Sequence, residues 1–240
     1  MIKSKTFWKK LSWHTLGAIL IGLGVQTIIY SYLGAAPLDA LTYYVTKIYL
    51  QLFNQSNFDS LYSLIGITSL VVGTIVTFVL VLVQRKKQLI FTWLNILLAS
   101  LTIFLWGLLF NNFTPSDFFI LRLVYGISGI AILSIGVTLT VVSGLPAGPH
   151  EELLRLYNNK INNMFLSKLI VEGTYLVLAF IMMIISEIVI DKSTINFSQV
   201  GWFTIVTIIL SSGLIHILTS FFTKNDSKKT DQEEINFESK

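Results

Sequence analysis

Residues 21–41 read IGLGVQTIIYSYLGAAPLDAL, and residues 133–153 read LSIGVTLTVVSGLPAGPHEEL. Aligned without a gap at an offset of 112 residues, the two stretches are identical at seven positions. The same offset aligns 91–110 with 203–222, where seven of twenty positions are identical. Chance rarely keeps one offset across two separated windows, so the sequence predicts an internal duplication.

The composition is that of a membrane protein. Hydrophobic residues make up 53% of the chain, charged residues 12%, and the mean hydropathy is +0.72, whereas a soluble domain has about 25% charged residues. Apolar stretches of roughly 17–25 residues can cross a bilayer. The sequence predicts one all-α membrane domain, residues 1–240, with six such spans: 11–33, 61–83, 89–110, 121–143, 167–190 and 200–222.

Basic residues predict the orientation of these spans. With a cytoplasmic N-terminus, 14 of the 17 Lys and Arg residues fall on the inner side, and only Lys47, Arg122 and Lys192 fall outside. This distribution follows the positive-inside rule. Both termini are therefore predicted to be cytoplasmic, and the polar segment 223–240 is predicted to be a disordered cytoplasmic tail.

The duplication and the spans together predict an inverted repeat. Residues 11–110 and 121–222 each contain three spans, so the two copies must cross the bilayer in opposite orientations. Many secondary transporters are built in this way, with the substrate site between the two halves.

A helix break follows the first span of each repeat. Small residues lead into Pro37 and Pro149, with Gly34 and Gly148 close before them. Proline favours the first position of a helix, so short amphipathic helices are predicted over 37–53 and 149–165. Two interpretations stand: free backbone N–H groups at the break bind a substrate group, or each break is only a capped corner. Whether these helices are interfacial or re-entrant stays open.

Ionisable residues inside membrane spans are candidates for function. Glu172 and His216 fall at similar depth near the inner ends of spans 5 and 6, and His150 and Glu151 close span 4 on the same side. We predict an inner cluster of these four residues that relays protons or binds substrate. The alternatives are a neutral His216 in a helix interface and a Glu172 paired with Lys168.

The offset also predicts two charge pairs. Asp39 corresponds to Glu151 and Lys10 to Arg122, so the topology pairs Asp39 with Arg122 outside and Glu151 with Lys10 inside. Asn95, an amide within span 3, is expected to hydrogen-bond between helices.

Several classes of function are not expected. The chain has no cysteine, which excludes disulfides, thiolate catalysis and cysteine-bound metals. We find no Ser/His/Asp set, nucleotide loop or metal-ligand spacing, so neither an enzyme nor a cofactor is predicted. The net charge of +4 fits a basic rim facing anionic lipid, and no nucleic-acid partner is predicted.

These motifs resemble those of the bacterial YczE-like integral membrane proteins, grouped with the YyaS and YitT names. The resemblance covers roughly 11–222 and implies a bacterial cell membrane. Phe91 and Pro146 depart from the family pattern. The matching residues are Leu33, Gly34, Pro37, Asp39, Thr92, Asn95, Arg122, Gly148, Pro149, Glu151, Lys168 and Glu172.

Two functions are therefore carried forward. The first is a secondary transporter or exporter of an unidentified small molecule, coupled to protons through Glu172 or His216. The second is a non-transporting accessory or assembly protein that acts through a membrane partner. The sequence leaves open whether the chain forms a homo-oligomer.

Overall fold

The computed structural model describes residues 4–53, 60–85, 92–145, 148–190 and 197–238. These ranges contain eight α-helices, one π-helical segment and no strand. The π-helical segment, Ile185–Ile190, continues the seventh helix. The helices are α1 Ser4–Tyr30, α2 Pro37–Leu52, α3 Leu61–Gln84, α4 Thr92–Phe110, α5 Phe119–Val142, α6 Pro149–Ile161, α7 Met164–Ile184 and α8 Trp202–Glu238.

Six of these helices are long and apolar enough to cross a membrane, which confirms the all-helical class and the six predicted spans. The candidate spans are Phe7–Tyr30, Leu61–Gln84, Thr92–Phe110, Phe119–Val142, Leu166–Ile190 and Trp202–Phe222. Beyond the sixth span, α8 continues to Glu238, which differs from the disorder predicted for 223–240. Lys, Gln and Glu are good helix formers, and extending an existing helix avoids the cost of nucleation.

Helices α1 and α5 form the central pair, and they run antiparallel. Glycines let their backbones approach closely: a Cβ atom at Gly24 would lie 2.6 Å from the backbone nitrogen of Leu133. Small residues have this role at many membrane helix interfaces. The bundle consequently has two ends, which we name the Lys10 end (start of α1, end of α5) and the Arg122 end (end of α1, start of α5).

This packing predicts a stability difference between two glycine substitutions. Gly24→Ala should lower the free energy of unfolding by about 1–3 kcal/mol, because the added methyl group overpacks the α1–α5 interface. Gly173→Ala is the control, since a Cβ atom at Gly173 in α7 would meet nothing within 4 Å. The two unfolding midpoints can be compared by heating the proteins in detergent. Equal midpoints would contradict the packing described here.

The remaining helices pack around this pair. Helix α4 packs against α1 and α3, whereas α8 packs against α5. The fully buried Gln26 joins three of these helices, because its amide donates to the carbonyl oxygens of Tyr62 at 2.7 Å and Ile103 at 2.9 Å. Helices α2 and α6 both pack against α7, so α7 lies between the two segments that follow the helix breaks.

Candidate functional site

The site begins where α6 begins. Gly148 has an extended conformation (φ −68°, ψ 167°), and Pro149 follows as an early residue of α6. Helix α2 starts in the same way, with an extended Ala36 (φ −60°, ψ 148°) before Pro37. The residue before proline is driven out of helical geometry, which is why both helices begin here. His150 therefore lies in the first turn of α6.

His150 contacts Glu172 of α7. The His150 Nε2 atom lies 3.4 Å from Glu172 Oε1, and the side chains are only 21% and 10% exposed. The ring of Tyr175, one turn further along α7, lies 5.6 Å from the imidazole centroid. Two titratable groups from different helices are thus held together at the edge of an apolar bundle.

Neighbouring charges favour a protonated imidazole. Burial lowers the pKa of His150, but the hydrogen bond and charge of Glu172, together with the charge of Glu151, raise it above its usual value. Lys168 opposes this effect. Since an imidazolium beside a carboxylate is an ion pair, the α6–α7 contact is electrostatic as well as steric.

Asp39 of α2 also belongs to this site. Glu172 and His150 are the charged groups that act on its carboxyl. Burial and the charge of Glu172 raise the pKa of Asp39 to about 7, and His150 only partly offsets them. The prediction that Asp39 pairs with Arg122 was therefore wrong: α2 brings Asp39 towards α7, away from the guanidinium.

Asn95 of α4 completes the group. Its side chain is buried, and its Nδ2 atom lies 3.7 Å from where a Cβ atom on Gly148 would be. The same hypothetical Cβ atom would meet the Glu151 carboxylate, so Glu151 and Asn95 both lie beside Gly148. We call Asp39, Asn95, His150, Glu151 and Glu172 the α6–α7 cluster.

His216 does not belong to the cluster, and this part of the prediction was wrong. It is exposed on α8, and α8 packs mainly against α5. Its depth in the span was a reasonable inference from the sequence. The face of the helix on which it lies depends on packing, which hydropathy does not determine.

Arg122 has a different role from the predicted one. Its Nε atom donates to the carbonyl oxygen of Ser31 at 2.6 Å, and its Nη2 atom donates to the carbonyl oxygen of Tyr32. The last carbonyls of a helix have no partner within the helix, and a cation there also complements the helix dipole. At the opposite end, Lys10 Nζ lies 3.7 Å from the Cβ position of Gly144. Lys10 therefore lies beyond the end of α5 and does not form the predicted pair with Glu151.

The family model that matches this chain, over residues 8–222, is described as a family of unknown function, DUF6198. The chain belongs to this family. No curated protein and no solved structure matches it. The matched region contains the whole α6–α7 cluster. The description of the family gives no activity for it. Among the described residues of this DUF6198 protein, no group of three or more His, Asp or Glu side chains could hold a metal ion.

One histidine of this DUF6198 protein was missed by the sequence analysis. His14 is buried in α1, and its Nδ1 atom lies 3.2 Å from Ser143 Oγ. The Ser143 hydroxyl donates to the carbonyl oxygen of Thr140 at 2.6 Å, an arrangement in which its oxygen accepts from the Nδ1–H tautomer of His14. The signal in the sequence was the repeat alignment: at the offset of 112 residues, His14 corresponds to Gly126. The second half therefore has no histidine at this position, and the contact has no counterpart in the repeat.

An ion pair at the far end of α7 was also missed. Lys47 Nζ lies 2.7 Å from Glu187 Oε1, with side chains 14% and 5% exposed. Ser186 donates to Gln51 Oε1 at 3.0 Å beside it. Glu187 lies in the π-helical segment, a form that often marks functional positions. The signal was the placement of Lys47 and Glu187 on the same side by the predicted topology.

Proposed function

We propose that this protein is a secondary transporter or exporter of a small molecule, with the α6–α7 cluster as its binding and proton-exchange site. The observation that carries the proposal is the His150–Glu172 contact, an acid–base pair at the edge of a bundle of apolar helices. Ionisable groups are costly at membrane depth and usually serve ion or substrate pathways. An imidazole also changes its charge near neutral pH.

Matching contacts support an inverted repeat. A Cβ atom at Gly24 would lie 2.6 Å from the nitrogen of Leu133, and one at Gly136 would lie 2.7 Å from the nitrogen of Ile21. At the offset of 112 residues, Gly24 corresponds to Gly136 and Ile21 corresponds to Leu133, so each contact maps onto the other with the two helices exchanged. Such an exchange is the property of a contact across a two-fold axis, so α1 and α5 fit the central pair of two inverted halves.

The turns that end these helices support the same interpretation. Ser31 Oγ donates to the carbonyl oxygen three residues earlier, and Ser143 Oγ does the same. The following residues, Tyr32 and Gly144, both have positive φ, 53° and 67°. We therefore propose that α2 and α6 are the broken helices of the two halves, and that the resemblance to YczE-like proteins extends to this arrangement.

The orientation completes the proposal. With both termini in the cytoplasm of a bacterial cell, the Lys10 end faces the cytoplasm. A substrate group that displaces His150 from Glu172 would separate the imidazolium from the carboxylate. The affinity of the pair for its proton would then fall. Substrate binding and proton release would then be coupled at one place, which is the requirement for exchange across the membrane.

Flux measurements in proteoliposomes test this function. The purified protein is reconstituted with a pH-sensitive dye inside, a pH gradient is imposed, and a panel of small molecules is added. At least one compound should move protons, and Glu172→Gln should reduce that flux to the level of empty liposomes. Glu152→Gln is the matched control, because Glu152 lies on α6 but contacts Arg155 at 3.1 Å.

The alternative remains a non-transporting accessory protein. It would be supported if no compound in a broad panel produced flux and a second membrane protein co-purified in stoichiometric amount. Equal flux in Glu172→Gln and Glu152→Gln would instead remove the α6–α7 cluster from the transport step.

A further inference from the structure

A cavity lies at the Arg122 end of the bundle. Its volume is about 550 Å³. Tyr32, Asp117, Arg122, Phe197 and Ser198 contribute to its walls. The cavity therefore has charged, hydroxyl and aromatic groups, and it lies at the end opposite the start of α1.

Hydrogen-bonded tyrosines connect to the wall of this cavity through Tyr32 and Ser198. Tyr62 donates its hydroxyl proton to the Tyr32 hydroxyl at 3.1 Å. Tyr43 of α2 is buried, hydrogen-bonds with Ser198 and lies within electrostatic reach of Tyr32. We call Tyr32, Tyr43, Tyr62 and Ser198 the tyrosine layer. Tyr32 and Ser198 also line the cavity, so the layer begins at the cavity wall.

Helix α2 connects the tyrosine layer to the α6–α7 cluster. Tyr43 and Asp39 are four residues apart in α2, so their side chains share one face of the helix. Tyr43 hydrogen-bonds with Ser198, which lines the cavity, and Asp39 has Glu172 and His150 as electrostatic neighbours. One helical turn thus separates the two polar regions.

We propose that the cavity and the α6–α7 cluster are the two ends of one permeation pathway along this face of α2. The tyrosine layer closes the pathway in this structure, and Tyr43 is its gate. The transported species is a positively charged amine. This inference rests on the proposed function and specifies its route and its substrate class.

The charges at the cluster end of the pathway favour a cation. Asp39, Glu151 and Glu172 contribute three carboxylates to the cluster, whereas Lys168 and His150 are the nearby basic groups. None of the ion pairs formed between described residues involves Asp39. A partly buried carboxylate without a counter-ion is costly, and a bound amine would relieve that cost.

Cysteine labelling tests the pathway, and the natural chain helps because it contains no cysteine. Single variants Ser198→Cys and Asp39→Cys are treated in sealed membrane vesicles with a membrane-impermeant thiosulfonate on one side. Ser198→Cys should react from the Arg122 side. Asp39→Cys should react only from the Lys10 side, since α6 has no buried residue among Pro149–Ile161.

Opening the gate should change this pattern. Tyr43→Ala added to Asp39→Cys should let the reagent reach position 39 from the Arg122 side. Tyr43→Phe keeps the ring and should keep the block. Tyr49→Ala is the matched control, because Tyr49 lies on the same helix and is 48% exposed. A monodisperse elution profile establishes that each variant is folded.

The charge of the reagent tests the substrate class. At Asp39→Cys, a trimethylammonium thiosulfonate should react about tenfold faster than a sulfonate one, relative to a free thiol, because acidic clefts concentrate cations. No labelling of Asp39→Cys from the Arg122 side in the folded Tyr43→Ala variant would overturn the pathway. Equal relative rates would overturn the cationic substrate. Neither result depends on flux, so failure of the pathway is distinguishable from failure of the transport proposal.

Discussion

Lys47→Met should lower the free energy of unfolding by about 3–5 kcal/mol, the usual effect of removing one member of a buried ion pair. Only 5% of the Glu187 side chain is exposed, so water has little access to the carboxylate once the lysine ammonium group is removed. The midpoint of thermal unfolding in detergent measures the loss. Lys160→Met, on the exposed surface of α6, is the control and should change stability by less than about 1 kcal/mol.

The double variant Lys47→Met, Glu187→Leu distinguishes two costs of Lys47→Met. One is the lost attraction between the two side chains, and the other is a buried carboxylate that no longer has this lysine beside it. Well-packed apolar residues often replace a buried ion pair at no cost, so the double variant should recover most of the stability. A double variant as unstable as Lys47→Met would show that packing of the π-helical segment, and not its charge, is responsible.

Arg122→Leu should cost about 3 kcal/mol or more, because hydrogen bonds to charged groups contribute about 1.5–3 kcal/mol each and Arg122 makes two with the end of α1. Arg155→Leu is the control, since the Arg155 side chain is 69% exposed. The same unfolding measurement applies to both variants.

A charge exchange distinguishes the observed contacts from the pair predicted by the repeat. Arg122→Asp combined with Asp39→Arg should stay as unstable as Arg122→Asp alone, because the partners of Arg122 are carbonyl oxygens. Recovery in the double variant would instead restore the predicted Asp39–Arg122 pair.

The hydropathy pattern predicted the helices well. Leu61–Gln84 and Phe119–Val142 end within two residues of the predicted spans. Among the helix ends in the interior of the chain, the largest difference between prediction and structure is at the end of α6. It was predicted at residue 165 and lies at Ile161. There Asn162 takes a left-handed conformation, and Asn163 accepts a hydrogen bond from the nitrogen of Leu166 at the start of α7. Two adjacent asparagines can form a loop or a pair of caps, and spacing alone does not decide between them.

The site was only partly predictable for a related reason. Position within a span fixes depth, which was sufficient to place His150 and Glu172 together. It does not fix the helix face, so His216 was wrongly included. Nor does it fix the direction in which a chain turns after a break, which is why Asp39 was assigned to the wrong neighbours. Contacts between helices decide both.

The two helices that hold the cluster differ in how firmly they are anchored. Eight residues of α2 are buried, from Pro37 to Leu50, whereas none of Pro149–Ile161 in α6 is buried. Displacing α6 therefore exposes little apolar surface, and local opening free energies are low where few apolar contacts are broken. His150 belongs to the loosely packed helix α6, whereas Asp39 and Glu172 belong to the tightly packed helices α2 and α7. The distance between base and acid can thus vary while the core stays intact.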